Sequence, residues 1–272
     1  MNLHQAILYG ETLLQQNSID QPRWNSERLL LLALKQFRSK LYSELNRELT
    51  DSEFAKFSEL LRKRAEHYPI AYLEGTQEFF GREFFVNESV LIPRPETEEI
   101  IRAVLDLKLK SPRILDLGSG SGIIPVTLER EIPSSDVVAL EFSPLALPVL
   151  KKNGAEKIVR ADFSSLCFLP GSFDVVTANL PYVEAEDYDS LPRETKWEPR
   201  IALFTQSLEQ TYRRAIQEGE RVLKFGGHMV MEFGFGQEER LRGVIGRMRL
   251  LEIRKDQRGI PRVLSLEKIA AG

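Results

Sequence analysis

Asn179-Leu180-Pro181-Tyr182 sets a short amide, a rigid turn and an aromatic ring in consecutive positions, directly after the apolar run Phe173-Asp174-Val175-Val176-Thr177-Ala178. Such a run predicts a buried strand, and ligands of open α/β sheets collect at the carboxyl ends of strands. The tetrapeptide suits one task, holding a planar NH2 group. The Asn179 side-chain oxygen and the Leu180 carbonyl, restrained by Pro181, are two acceptors aimed at one point, and Tyr182 offers a face to stack on. A conjugated nitrogen is a poor nucleophile because its lone pair is delocalised. Two acceptors on its hydrogens orient it and help localise that pair toward an electrophile. A plain strand-to-loop turn uses the same residue types, so the weight rests on what lies at the neighbouring strand ends.

Asp116-Leu117-Gly118-Ser119-Gly120-Ser121-Gly122 follows a short apolar run, Arg113 to Leu117, and precedes a helical pattern from Ile123 to Glu131. Glycines between a strand and a helix let backbone approach a nucleotide-like ligand closely. A dinucleotide fingerprint is a poor fit, because no glycine occupies its third position when counting starts at Gly118 or Gly120. Glu141 ends the next strand-like run, where a carboxylate can accept both hydroxyls of a ribose. A surface acid at a strand end is the lesser alternative. Asp162-Phe163, after a third run, supplies an acceptor for an adenine amine and an apolar wall for the ring, or else a turn or helix cap. Loop, Glu141, Asp162 and Asn179 all fall at successive strand ends on one sheet edge, and that concurrence favours a ligand site.

The elements that must position these residues are legible in the hydrophobic pattern. Up to about Tyr68 the chain is helical: Leu3, Ala6, Ile7, Leu13 and Leu14 form one stripe, and Leu29, Leu30, Leu32, Ala33 and Phe37 another. Thr50 to Glu53 is a capping box opening a third helix. Aromatic and β-branched residues around Gly81 predict a β-hairpin acting as a linker. Pro95 and the carboxylates after it start a further helix. From Ser111 strands and helices alternate, and Leu250 to Lys255 with Val263 to Glu267 flank a turn-rich Asp256-Gln257-Arg258-Gly259. The expected organisation is a helical domain over 1–74, a hairpin linker over 75–92 and an α/β catalytic domain over 93–272, whose parallel sheet ends in an antiparallel hairpin.

Composition limits the partners. With 272 residues, 42% of them hydrophobic, the chain can bury a proper core. A net charge of -3 argues against binding nucleic acid through its phosphates. One cysteine, Cys167, excludes an internal disulfide, and His4, His67 and His228 lack metal-ligand spacing. No run is long enough to cross a bilayer and no secretory pattern opens the chain, so a cytoplasmic protein without metal or membrane partner is expected.

The Gly118 to Gly122 loop, Glu141 and Asn179 to Tyr182 together resemble the class I S-adenosylmethionine-dependent methyltransferases that act on planar amines. A more specific resemblance spans nearly the whole chain: Pro69-Ile70-Ala71-Tyr72, Gly75, Glu78-Phe79, Gly81, Phe84, Val86, Val90 to Glu98, Glu198-Pro199, Ala202-Leu203, Gly226-Gly227, Glu232-Phe233-Gly234 with Gln237, and Asp256 with Gly259 and Arg262-Val263. These are similar to the peptide chain release factor glutamine methyltransferases, the PrmC/HemK family. The resemblance implies a Rossmann-like, mostly parallel seven-stranded sheet and methylation of the glutamine amide nitrogen in the Gly-Gly-Gln tripeptide of class 1 release factors, yielding S-adenosylhomocysteine. Asn179 and the Leu180 carbonyl would then hold the glutamine NH2 with Pro181 and Tyr182 beside it. Gly118, Ser119, Gly120, Ser121, Gly122, Glu141, Asp162 and Phe163 would hold the cofactor, Arg94 and Glu96 would shape the wall between the two sites, and the N-terminal helices would contact the release factor. Glu96 is also explained by its helix dipole alone. Two residues depart from the family: Leu180 stands where a second proline is usual, and Glu141 where aspartate is. The Leu180 form resembles ribosomal RNA adenine dimethyltransferases, which keeps an RNA adenine methyltransferase as the competing expectation.

Overall fold

The computed structural model describes residues 1–270. The chain divides into two units, Met1–Gly75 with Pro192–Trp197, and Thr76–Leu191 with the residues from Glu198 onward.

The first unit is helical: α1 (Leu3–Gln16), α2 (Pro22–Leu34), α3 (Arg38–Ser43), α4 (Asp51–Ala65) and α5 (Ile70–Glu74). Both long amphipathic helices start on reciprocal caps. Asn2 and Gln5 exchange side-chain to backbone hydrogen bonds at α1, and Thr50 and Glu53 do so at α4. Leu3, Ile7, Leu14, Leu29, Leu30, Phe57 and Leu61 close the core. Gly10 is what lets α1 and α2 touch, since a Cβ there would sit 2.3 Å from Ser26 Oγ. The second apolar stripe is shorter than its periodicity suggests. Lys35 turns left-handed at the end of α2, so Phe37 leaves the stripe, heads α3 and is 86% exposed. Buried Arg64 holds Asn25 Oδ1 at 2.7 Å, the Tyr68 carbonyl at 3.2 Å and the Glu194 carboxylate. Glu194 comes from the 192–197 segment, which lies far along the chain and packs with these helices.

The second unit begins with a hairpin, β1 (Thr76–Phe79) and β2 (Arg82–Phe85), whose two-residue turn, Phe80-Gly81, has φ of +50° and +69°. Phe79 and Phe84 are buried in the same cluster as α6 (Glu98–Asp106), β3 (Arg113–Leu117) and α7 (Ile123–Glu131), so the hairpin is part of the α/β unit's core. Next come β4 (Asp136–Glu141), α8 (Leu147–Lys152), β5 (Ile158–Arg160), β6 (Phe173–Ala178), α9 (Arg200–Leu203), α10 (Leu208–Val222), β7 (Leu223–Glu232), α11 (Glu238–Arg242), β8 (Arg249–Lys255) and β9 (Pro261–Glu267).

Seven strands form one sheet in the order β5-β4-β3-β6-β7-β9-β8, parallel as far as β7 and antiparallel from β7 through β9 to β8. The strands are nearly continuous apolar runs because helices cover both faces: α6 and α7 pack on one, α10 on the other. Gly219 lets α10 lie against β7, where a Cβ would meet Met229 Sδ at 2.7 Å. The pairing of β6 with β7 skips between Phe173 and Val175, where the partner passes from Leu223 to His228 through Gly226 and Gly227. Asp256 nails the β8–β9 turn, accepting from the amides of Arg258 and Ile260 and from Arg262 Nε. Chain order reverses at β3, with β4 on one side and β6 on the other, so a crevice opens at their carboxyl ends. Among the described residues no helix is long and apolar enough to cross a membrane, and no cluster of His, Cys, Asp and Glu could hold a metal ion.

Candidate active site

The glycine loop leaves β3 beside two fixed carboxylates. Asp116 is fully buried between β4 and β6. Its Oδ1 accepts the Thr177 hydroxyl at 2.7 Å, and its Oδ2 has no partner among the described residues. Burial pushes its carboxyl up to about 7. Gly118, Gly120 and Gly122 have φ of +71°, +53° and +87°, a region that side chains rarely adopt. The amides of Gly118 and Ser119 both donate to the Leu140 carbonyl, at 2.8 and 3.0 Å, tying the loop to β4. Gly122 is a close approach rather than a ligand surface, because a Cβ there would sit 2.7 Å from Leu150 Cδ1.

Glu141 is 8% exposed, and each of its oxygens is pinned at 2.7 Å by one backbone amide, Oε2 by Gly120 and Oε1 by Ser143. Both oxygens keep a free lone pair for a ligand hydroxyl. Asp162 is exposed and turns its own loop by accepting from the Ser164 amide at 2.8 Å, while Phe163 supplies a half-buried ring.

These residues share one cleft with the tetrapeptide. It encloses about 1020 Å³ of empty space, mouth included, and its wall contains Gly118 to Ser121, Glu141, Asp162, Phe163, Asn179, Leu180, Pro181 and Arg94. Gly122, Glu96 and Tyr182 are not in that wall. Glu96 lies half-buried in the 3-10 turn ahead of α6. Tyr182 turns toward Glu232 and Gln237. Its hydroxyl reaches Glu232 Oε1 at 3.4 Å, and its carbonyl accepts from Gln237 Nε2 at 2.8 Å. Burial, with the Glu232 charge, keeps its phenol protonated. Arg94 forms an ion pair with buried Glu198, whose other oxygen accepts the Ile92 amide at 3.0 Å. Leu180 is 2% exposed and packs into the core, its Cδ2 3.4 Å from where a Gly118 Cβ would lie. The freedom gained where a proline ring is absent is thus restrained by burial against the glycine loop.

Residues 5–75 match the PrmC N-terminal domain family and residues 114–196 a methyltransferase domain family. A release factor glutamine methyltransferase of Koribacter versatilis is 36% identical, covering 97% of this chain and 98% of its own; one of Nitratidesulfovibrio vulgaris is also 36% identical, covering 96% and 94%. The chain belongs to the release factor glutamine methyltransferase family. A solved methyltransferase structure from Pyrococcus furiosus shares the fold at a TM-score of 0.51 and 16% identity, covering 79% of this chain and 99% of that one.

The cleft of this family member fits S-adenosylmethionine. Glu141 would take the ribose hydroxyls and Phe163 with Asp162 the adenine, while the glycine loop would line the remaining, amino-acid end. Three residues of the methyltransferase site escaped the residue-by-residue reading of the sequence. Glu232, at the end of β7, is 2% exposed and accepts from the Thr97 hydroxyl at 2.6 Å and from Asn179 Nδ2 at 3.0 Å. Thr97 is the second, and its hydroxyl also receives Asn179 Nδ2 at 3.1 Å. Glu198 is the third. A charged residue set inside the apolar run Gly227 to Phe233 was the available signal for Glu232.

Burial pushes Glu232, like Asp116, up to about 7, with Glu96 raising it further and Thr97 opposing. Both folded-state values lie above the ordinary carboxyl range of about 4. The stability these groups carry is therefore full below that range and is lost as pH rises through about 7. The ligand-free protein is expected to lose on the order of 1–3 kcal/mol per group between pH 5 and pH 8. Urea unfolding of E232Q and D116N should show a flatter pH dependence than the parent over that window.

Proposed function

We propose that the protein transfers a methyl group from S-adenosylmethionine to the side-chain amide nitrogen, N5, of the glutamine in the Gly-Gly-Gln tripeptide of class 1 peptide chain release factors. One observation carries this reading. The two acceptors of Asn179 and Leu180 lie in the same cleft wall as the glycine loop and Glu141, so a planar NH2 group and a nucleoside-bearing cofactor meet in one space. The names of the relatives, matched along nearly the whole chain, point to the same substrate.

Asn179 Oδ1 makes no hydrogen bond among the described residues, while its amide nitrogen is taken by Thr97 and Glu232. That oxygen and the Leu180 carbonyl accept the two hydrogens of the glutamine NH2 and turn its nitrogen lone pair toward the cofactor. S-adenosylmethionine, when bound, supplies an electrophilic methyl on a positively charged sulfur. A carbon–nitrogen bond forms as the carbon–sulfur bond breaks, and the amide proton then leaves to water. Tyr182 is held protonated outside the cleft and takes no part as a base.

The helical unit, 1–74, is assigned to release-factor recognition. Its exposed Trp24, Phe37 and Tyr42 support that role, since exposed aromatic side chains are typical of contact surfaces. Cytoplasmic action follows from that partner. The RNA adenine reading is not favoured, since Leu180 was its chief support and here packs as a core residue. The test incubates the protein with S-adenosylmethionine and either an intact release factor or ribosomal RNA, then applies mass spectrometry. One added methyl on the tripeptide glutamine is expected; methylation of RNA alone refutes the reading.

A further inference from the structure

An asparagine amide can face a cleft with either end, since half a turn about its last torsion exchanges oxygen and nitrogen at almost no steric cost. At Asn179 the two ends have opposite consequences. Oxygen inward accepts from an NH2 group; nitrogen inward would donate to a carboxylate or a carbonyl. The neighbours of the amide decide between them. Asn179 Nδ2 lies 3.0 Å from Glu232 Oε2 and 3.1 Å from Thr97 Oγ1. Thr97 spends its single hydroxyl hydrogen on the same Glu232 oxygen, at 2.6 Å, so toward Asn179 it can only accept. Glu232, once ionised above about pH 7, also only accepts. Inverting the amide would place Asn179 Oδ1 against Glu232 Oε2 at about 3 Å with no hydrogen between them.

Glu232 cannot move aside to permit that. Tyr182 approaches its second oxygen at 3.4 Å, and its backbone carbonyl accepts the Tyr212 hydroxyl at 2.6 Å. It is buried and absent from the cleft wall, so it reaches a substrate only through Asn179 and Thr97.

We infer that Glu232 is a specificity-determining positioning residue: it fixes the polarity of the Asn179 amide so that the clamp takes a glutamine amide and rejects the isosteric carboxylate of glutamate. This rests on the proposed function. Discrimination against glutamate comes from two acceptor oxygens facing a group that has no hydrogen to give, with a buried carboxylate behind them that prevents the clamp from adapting.

The test uses the full-length protein at pH 8 and two intact release factors, one with the natural tripeptide and one with its glutamine replaced by glutamate as a competitive inhibitor. For the parent, the inhibition constant of the glutamate form should exceed the KM of the glutamine form by about tenfold or more. In E232Q the new side-chain amide can donate to an inverted Asn179. The ratio should then fall to about a few-fold, the Leu180 carbonyl still opposing a carboxylate, while S-adenosylmethionine affinity and melting temperature do not fall. T97V leaves Glu232 facing Asn179 and should keep the ratio, even with slower transfer. An unchanged ratio in E232Q, or an equal collapse in T97V, overturns the inference. A parent protein that methylates no release-factor glutamine refutes the functional reading instead.

Discussion

Asn179→Ala should lower kcat/KM for a release factor by about 10²- to 10³-fold while changing S-adenosylmethionine affinity less than about tenfold. The substitution removes one of two acceptors on the attacking nitrogen. The other, the Leu180 carbonyl, remains because it is backbone in a buried segment. A glutamine NH2 held at one hydrogen can still enter, but its lone pair is no longer directed, so the loss falls on kcat more than on KM. Single-turnover transfer followed by mass spectrometry, with calorimetry for the cofactor, separates the two. A protein that kept its single-turnover rate would show that the clamp does not act as described.

Glu141→Ala should weaken S-adenosylmethionine binding by about 10²- to 10³-fold. Two hydroxyl-to-carboxylate hydrogen bonds of roughly 1.5–3 kcal/mol each are lost. The substitution also frees the amides of Gly120 and Ser143, which Glu141 holds at 2.7 Å, so the glycine loop loses a restraint. Glu141→Gln separates these effects. It keeps the length and one oxygen but has no charge, and should recover only part of the loss. Calorimetric titration of both variants with the cofactor is the measurement, and a drop below about fivefold in Glu141→Ala would remove Glu141 from the ribose site.

The part of the site that the sequence revealed is local. Gly118 to Gly122, Glu141, Asp162-Phe163 and Asn179 to Pro181 each sit where a strand ends, so strand pattern and chemistry could be read from the same few residues. The seven-stranded sheet was legible for the same reason, because buried parallel strands are continuous apolar runs. What stayed hidden depends on partners distant in sequence. Asn179 meets Thr97 across 82 residues and Glu232 across 53, and Arg94 meets Glu198 across 104. Only the topology brings these pairs together. Where Tyr182 stands likewise depends on distant partners, Glu232 and Gln237. Phe37 misled because a left-handed Lys35 broke a periodicity that extrapolation carried on. The 192–197 segment, packed among the helices, carries no compositional mark of belonging there.

The skipped pairing between β6 and β7 acts like the phase setting of a gear. From His228 onward the strands run in step, Val175 with His228 through Ala178 with Met231, and the next step sets Glu232 beside Asn179. Removing one residue at Gly226 would advance that half of β7 by one tooth, and every side chain beyond would exchange faces. Glu232 would then turn away from Asn179 although no residue near the cleft had changed. The timing of the clamp is thus kept at the far end of the strand, away from the residues that line the cleft.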